Sequence, residues 1–368
     1  MKVKFSVLLV LMFSVSAFAQ FTSLDINMDA RAIAMGESFV ANPNGLVAAD
    51  NNPATLIGQK GLSIFYNRRN SVYTKGFDDI FYYSAGASLE TSIGNFSLLY
   101  KRFKDILYLV GDGLYINGRY HNSTLNISYA NTICENLSYG INIKTFSYKT
   151  ELNDINLKEG ESNNPLLFDF GLLYSPEGLI NHPSINDEIN FGASLVNFGT
   201  DFKVKRYTDA NRQQNSVVVN LPRLAKVGLT YNLNIVAFAQ PEFLQFTFTG
   251  EYNLLLNNFR FYNQMDYEEM NSSGDGFKMN FWKLGIETTI MNVLSLRIGG
   301  ISYSSSNYAV KEGNLNLRYG LGVDLPLILI GINYPVNLIF DYALIQTEDK
   351  DNSLNAFNFS LRYNNPLF

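Results

Sequence analysis

The stretch Asn314-Leu315-Asn316-Leu317-Arg318-Tyr319-Gly320-Leu321-Gly322-Val323-Asp324-Leu325-Pro326 alternates without a break. Leu315, Leu317, Tyr319, Leu321, Val323 and Leu325 share one face, and Asn316, Arg318, Gly320, Gly322 and Asp324 share the other. A period of two is the mark of a strand with two unlike faces, because successive side chains point to opposite sides of the sheet. The run is longer than an ordinary soluble strand and as long as one that crosses a bilayer at a tilt.

The same pattern recurs along the chain. Phe357, Phe359, Leu361 and Tyr363 oppose Asn358, Ser360, Arg362 and Asn364; Phe246, Phe248, Tyr252 and Leu254 oppose Gln245, Thr247, Thr249 and Glu251. Leu338, Phe340, Tyr342 and Leu344 oppose Asn337 and Asp341. Strands are expected at 60–67, 80–89, 93–102, 122–133, 137–147, 166–175, 188–198, 221–233, 243–255, 277–290, 293–303, 315–326, 334–345 and 354–365. An even number of antiparallel strands suits a closed barrel. The connections alternate between long ones of about 16 residues and short ones of about 6, the asymmetry of outer loops and periplasmic turns. The expectation is an all-β fold, a 14-stranded antiparallel transmembrane β-barrel over 60–368 with a short N-terminal hatch segment. A soluble exported sandwich or propeller also alternates, but no fixed repeat is visible.

The polar parity carries Lys144, Asp169, Lys226, Glu251, Glu287, Arg297, Arg318, Asp324, Asp341 and Arg362. In a membrane strand such charges must face a wet or paired interior. The set predicts a strongly polar lumen, which disfavours passage of apolar solutes.

The chain has 368 residues, 46% hydrophobic and 17% charged. Its start, MKVKFSVLLVLMFSVSAFAQ, has a basic head, a short apolar run and an Ala17-Phe18-Ala19 cleavage pattern, so residues 1–19 are expected to be a signal peptide. Loss of Lys2 and Lys4 takes two from 28 basic residues against 33 acidic ones, so a net charge of −5 becomes −7. That balance argues against nucleic acid as a partner. One cysteine, Cys134, excludes a disulfide framework, and His121 and His182 fall in a predicted long loop and a predicted short turn, too far apart to share a metal. There is no P-loop, GxSxG, HExxH or CxxC. The reading is therefore not an enzyme, with no catalytic residue, metal or cofactor assigned.

Residues 20–59 lack the alternation. The run Asp29-Ala30-Arg31-Ala32-Ile33-Ala34-Met35-Gly36-Glu37-Ser38-Phe39-Val40-Ala41, followed by Asn52-Pro53-Ala54, resembles the opening of FadL-like outer-membrane proteins. Within that group the short N-terminus is more similar to the PorV/PorQ family. The motifs cover about 30 residues, with Asp29, Arg31, Met35, Gly36, Asn52 and Pro53 as the hatch motif. Glu37 stands where the family usually has a small residue, and Asn42-Pro43-Asn44-Gly45 replaces a stretch often rich in Asp. The resemblance implies a bacterial outer-membrane location and a non-catalytic accessory role in type IX protein secretion and surface attachment. Partners would be membrane lipid and secretion proteins or cargo, met by loops 199–220 (Lys203, Lys205, Arg206, Tyr207, Arg212) and 256–276 (Tyr262, Met265, Tyr267). The alternative is a FadL-like channel for hydrophobic small molecules, which predicts an apolar site near the hatch and an opening in the wall.

Overall fold

A computed structural model describes residues 24, 27–43, 46–70, 81–111, 114–152, 161–180, 182–200, 202–207, 214–219, 221–237, 240–256, 279–305, 315–346 and 354–365. The expected signal peptide, 1–19, lies outside them. The strands are β1 Leu62–Asn70, β2 Phe81–Thr91, β3 Gly94–Gly111, β4 Leu114–Cys134, β5 Leu137–Leu152, β6 Glu161–Ser162, β7 Leu166–Tyr174, β8 Ile185–Gly199 and β9 Phe202–Tyr207. They continue as β10 Gln214–Val219, β11 Leu224–Ala237, β12 Gln240–Leu255, β13 Met279–Ile290, β14 Leu294–Ser305, β15 Leu315–Pro326, β16 Val336–Ile345 and β17 Leu354–Tyr363. Three of these, β6, β9 and β10, only extend the wall upward, pairing among themselves and with β5. The other fourteen form one antiparallel sheet that closes where β1 pairs with both β2 and β17. Closure removes every edge, which a lipid-embedded sheet requires.

The alternation resolves into two surfaces. Lipid receives Trp282, Leu284, Phe359 and Ile127, each more than half exposed. Aromatic pairs sit near both ends of this face: Tyr66–Tyr83 at 6.3 Å and Tyr83–Tyr100 at 6.2 Å at one, Tyr129–Tyr139 at 6.2 Å and Tyr334–Tyr363 at 6.0 Å at the other. Such girdles mark the two bilayer interfaces.

Several connections differ from expectation. The stretch 103–121, expected as a long loop, is strand: β3 and β4 stay paired out to Gly111↔Leu114. The pair continues beyond the bilayer because both strands keep each other's backbone bonded, so the lipid pattern is no guide there. His121 accordingly lies in β4, not in a loop. Part of 199–220 is the hairpin β9–β10, and β5 runs to Leu152. The expected turn 234–242 shrinks, with Ala237 paired to Gln240.

Cys134 is exposed at the short-turn rim, at the end of β4. A membrane-impermeant maleimide should leave it unlabelled in intact cells and label it once the outer membrane is permeabilised. Equal labelling of intact cells would reverse the orientation.

Candidate functional site

Residues 27–43 and 46–59 pack inside the barrel against the lumen face of its wall. Helix α1, Ala30–Ala34, starts at Asp29, whose Oδ1 accepts the Ala32 N–H at 2.7 Å. It ends at Gly36 and Glu37, both left-handed (φ 64° and 59°). Three of its five residues are alanine, and Ala30, Ile33 and Ala34 pack against Ala343, Ile345 and Ala356 of the wall. Helix α2, Leu46–Ala49, leads to a 3₁₀ turn, Pro53–Gly58, capped by Asn52. Asn52 also donates to Val40 O at 2.6 Å and to Leu172 O at 3.0 Å, tying two inner segments to β7.

The wall is carved for this segment by glycines on its lumen face. Gly140 and Gly171, neighbours across β5 and β7, face Asn52, Pro53 and Ala54. Gly192 and Gly228, neighbours across β8 and β11, face Val40. Gly285 and Gly299, neighbours across β13 and β14, face Met35 and Gly36. At each, a Cβ would overlap atoms of the inner segment, mostly its backbone. Three glycine pairs therefore seat three points of the segment.

Ion pairs lock it further. Arg31 contacts Glu287 at 2.5 Å, and Arg297 bridges Glu287 and Asp341, the latter at 2.6 Å. Glu37 pairs with Arg318 and lies 3.9 Å from Lys283. Glu251 Oε2 accepts from the Phe39 and Val40 N–H groups at 2.8 and 3.0 Å, and Lys101 meets Asp50 at 2.6 Å. Lys226 donates to Asn51 Oδ1 at 3.1 Å. These charges are removed from lipid and largely from water, so each depends on its partner.

Of the ten charged residues expected on the lumen side, Lys144, Asp169, Lys226, Glu251, Glu287, Arg297, Arg318 and Asp341 are buried inside. Asp324 and Arg362, 3.6 Å apart, are partly exposed at the short-turn end. There they line a polar cavity of about 520 Å³ with Asp29, Arg31, Glu287 and Arg297. The hatch-motif residues Asp29, Arg31, Gly36, Asn52 and Pro53 take the capping, pairing and seating positions above, and Met35 is buried against Ala32, Phe39 and Ala48. Sequence reading passed over Lys101, Lys283, Glu37 and Asp50 as partners. The parity of Lys283 opposite Trp282 and Leu284 already placed it inside.

The lumen is not uniformly polar, which corrects the sequence expectation. In its outer half Leu24, Phe146, Leu167, Phe202 and Leu221 form one apolar cluster, and Met28, Tyr82 and Phe103 another, with Tyr148 packed against both. Tyr82 and Phe103 stack with centroids 3.4 Å apart. Counting charges missed this layer because Phe103 and Phe202 sit where loops were expected.

Beside the layer the wall ladder is interrupted. Among the described residues, β8 and β11 pair up to Val196↔Leu224, and the next pair is Phe202↔Val219 in the extension. Among the described residues between them are Asn197, left-handed at φ 65°, and Pro222, which has no N–H to give. Asn197 Nδ2 donates across the gap to Pro222 O at 2.9 Å. Its own N–H goes to Asp169 Oδ1 at 2.8 Å, and Lys144 Nζ reaches its Oδ1 at 3.1 Å. A register shift in β7–β8 between Phe168 and Phe170 lies at the same place. Side chains thus replace missing backbone bonds.

A closed fourteen-stranded barrel with a lipid-facing exterior and a polypeptide plug is a bacterial outer-membrane β-barrel. Among solved structures the chain is similar to the Pseudomonas putida toluene transporter TodX, at 11% identity, 90% of this chain, 96% of that chain and TM-score 0.49. It is also similar to the Ralstonia pickettii toluene transporter TbuX (11%, 90% and 96%, TM-score 0.45) and to a Pseudomonas aeruginosa FadL homologue (10%, 91% and 97%, TM-score 0.47). No family model matches the chain, and no curated protein does.

Proposed function

We propose that this barrel is a non-catalytic, FadL-like channel that admits apolar small molecules from the outer face and passes them through the wall beside its plug. The supporting observation is the apolar layer of Phe146, Leu167, Phe202 and Leu221, set above the seated segment and against the interrupted β8–β11 ladder. Leu24 and Met28 occupy that layer. A solute would displace them while residues 34–36, 40–41 and 52–54 stay in their glycine seats. The bridge from Asn197 to Pro222 is a weak point in the wall.

The second reading, a PorV/PorQ-like accessory in protein secretion, is favoured by the β9–β10 hairpin, which carries Lys203, Lys205, Arg206 and Tyr207 beyond the barrel wall. Of the other surface it invokes, 256–276, only Leu256 is described.

The test is binding of the fluorescent apolar probe N-phenyl-1-naphthylamine to the purified barrel in detergent. Burying one aromatic side chain is worth about 1.5–3 kcal/mol, and tenfold in affinity is about 1.4 kcal/mol. Phe146→Asp and Phe202→Asp should each weaken binding at least tenfold. Unchanged binding in both would refute the channel reading and leave secretion as the better one.

A further inference from the structure

The turn between β15 and β16 is unlike a water-facing connection. It forms a 3₁₀ turn, Leu327–Ile330, followed by Gly331 at φ 84°. Ile328 is 63% exposed, Leu329 62%, Ile330 55%, Ile332 49% and Tyr334 57%. No charged residue occurs from Leu325 to Phe340. A contiguous apolar patch of this kind on a soluble surface marks a contact with something apolar.

Two further features point to lipid as that contact. The turn bonds its own backbone: Gly331 N–H to Ile328 O at 3.2 Å, Ile332 N–H to Leu327 O at 3.1 Å, Tyr334 N–H to Ile332 O at 2.8 Å and Val336 N–H to Tyr334 O at 2.8 Å. These four bonds lower the cost of placing the turn's backbone in an apolar surrounding. The patch is also continuous with the lipid-facing surface. Tyr334 packs on Tyr363 in the interfacial girdle, and Phe340 and Phe359 lie on the adjoining strands with about half their surface exposed. Among the described residues of the other short turns, the exposed aliphatics are Ile93 in one, Met291 in another and the pair Leu179 and Ile180 in a third.

We infer that residues 327–334 are a membrane foot: Ile328, Leu329, Ile330 and Ile332 lie among the acyl chains of the periplasmic leaflet. Tyr334 holds the return strand at headgroup level. The foot widens the apolar footprint on one side only, so the barrel grips the inner leaflet asymmetrically.

A lone tryptophan reports this directly. Trp282 is the chain's single tryptophan and faces lipid. In a Trp282→Phe background, Leu329→Trp should be quenched in phosphatidylcholine vesicles by lipids brominated on their acyl chains, to an extent comparable with Trp282 in the parent. Quenching by aqueous iodide should fall several-fold below that of free tryptophan. Free access to iodide without bromolipid quenching overturns the inference. So does protection from both, which would mean that protein covers the turn. A nitroxide on Leu329→Cys in a Cys134→Ser background gives an independent reading, with collisions favouring oxygen over aqueous nickel if the foot is inserted.

Discussion

Leucine at both Gly140 and Gly171 is expected to unseat the inner segment and turn a plugged barrel into an ion-conducting one. Both positions face the chain at Asn52–Ala54, and any Cβ there meets backbone or the Asn52 side chain rather than a flexible side-chain tip. Overpacking a fitted core costs about 1–3 kcal/mol per site, and here nothing nearby can rotate aside. Loss of the seat also breaks the Asn52 bonds to Val40 and Leu172, so the cost spreads along the segment. A fourteen-stranded wall can close without its contents, because its own ladder supplies the backbone bonds. Planar-bilayer recordings should therefore show open steps that the parent lacks, and a protease added from the periplasmic side should cut within 27–59. Gly250→Leu is the matched control: it faces outward, and its Cβ would find only Leu284 Cδ2, at 3.6 Å. If the double variant conducts no more than that control, the glycine pairs are not seats.

Lys144→Met is expected to destabilise the barrel by about 3–5 kcal/mol, because it strands a buried carboxylate. Asp169 has no exposed surface and Lys144 almost none, and their Nζ–O distance is 2.6 Å. Asn142 and the Asn197 N–H also bond Asp169, and they soften the loss without neutralising the charge. The same lysine supports the Asn197 bridge across the interrupted ladder, so the variant should also leak apolar probe faster. Urea unfolding in detergent measures the first effect and probe efflux from vesicles the second. Adding Asp169→Leu should restore most of the stability, since removing both charges is far less costly than removing one. A single variant as stable as the parent would show that the pair is water-screened.

The number, order and facing of the fourteen strands were legible because lipid on one side and ionic groups on the other impose a strict period of two. The stretch 314–326 shows why the interior was less so. Gly320 and Gly322 were visible as inward-facing, but their meaning depends on what packs opposite: Ala34 for the first, the Arg297 guanidinium for the second. Arg31 and Glu287 are 256 residues apart, and no local spacing could have joined them. Glu37 was noticed as out of place among small residues, and its three cations, Arg318, Lys283 and Arg69, come from strands at opposite ends of the chain. The interruption at Asn197 was hidden because its neighbours keep alternating up to the bulge.

Leu24 and Met28 are retained differently from the residues that follow them. Lys101 reaches Leu24 O at 3.3 Å and Arg69 reaches Asn27 O at 3.0 Å, but their side chains are kept in place by exclusion of water alone. Exclusion of that kind fades on cooling, while the ionic and steric clamps beneath do not fade with it. The upper stopper of this barrel is thus the thermally sensitive one: in a cold habitat it loosens first, over a base that stays shut.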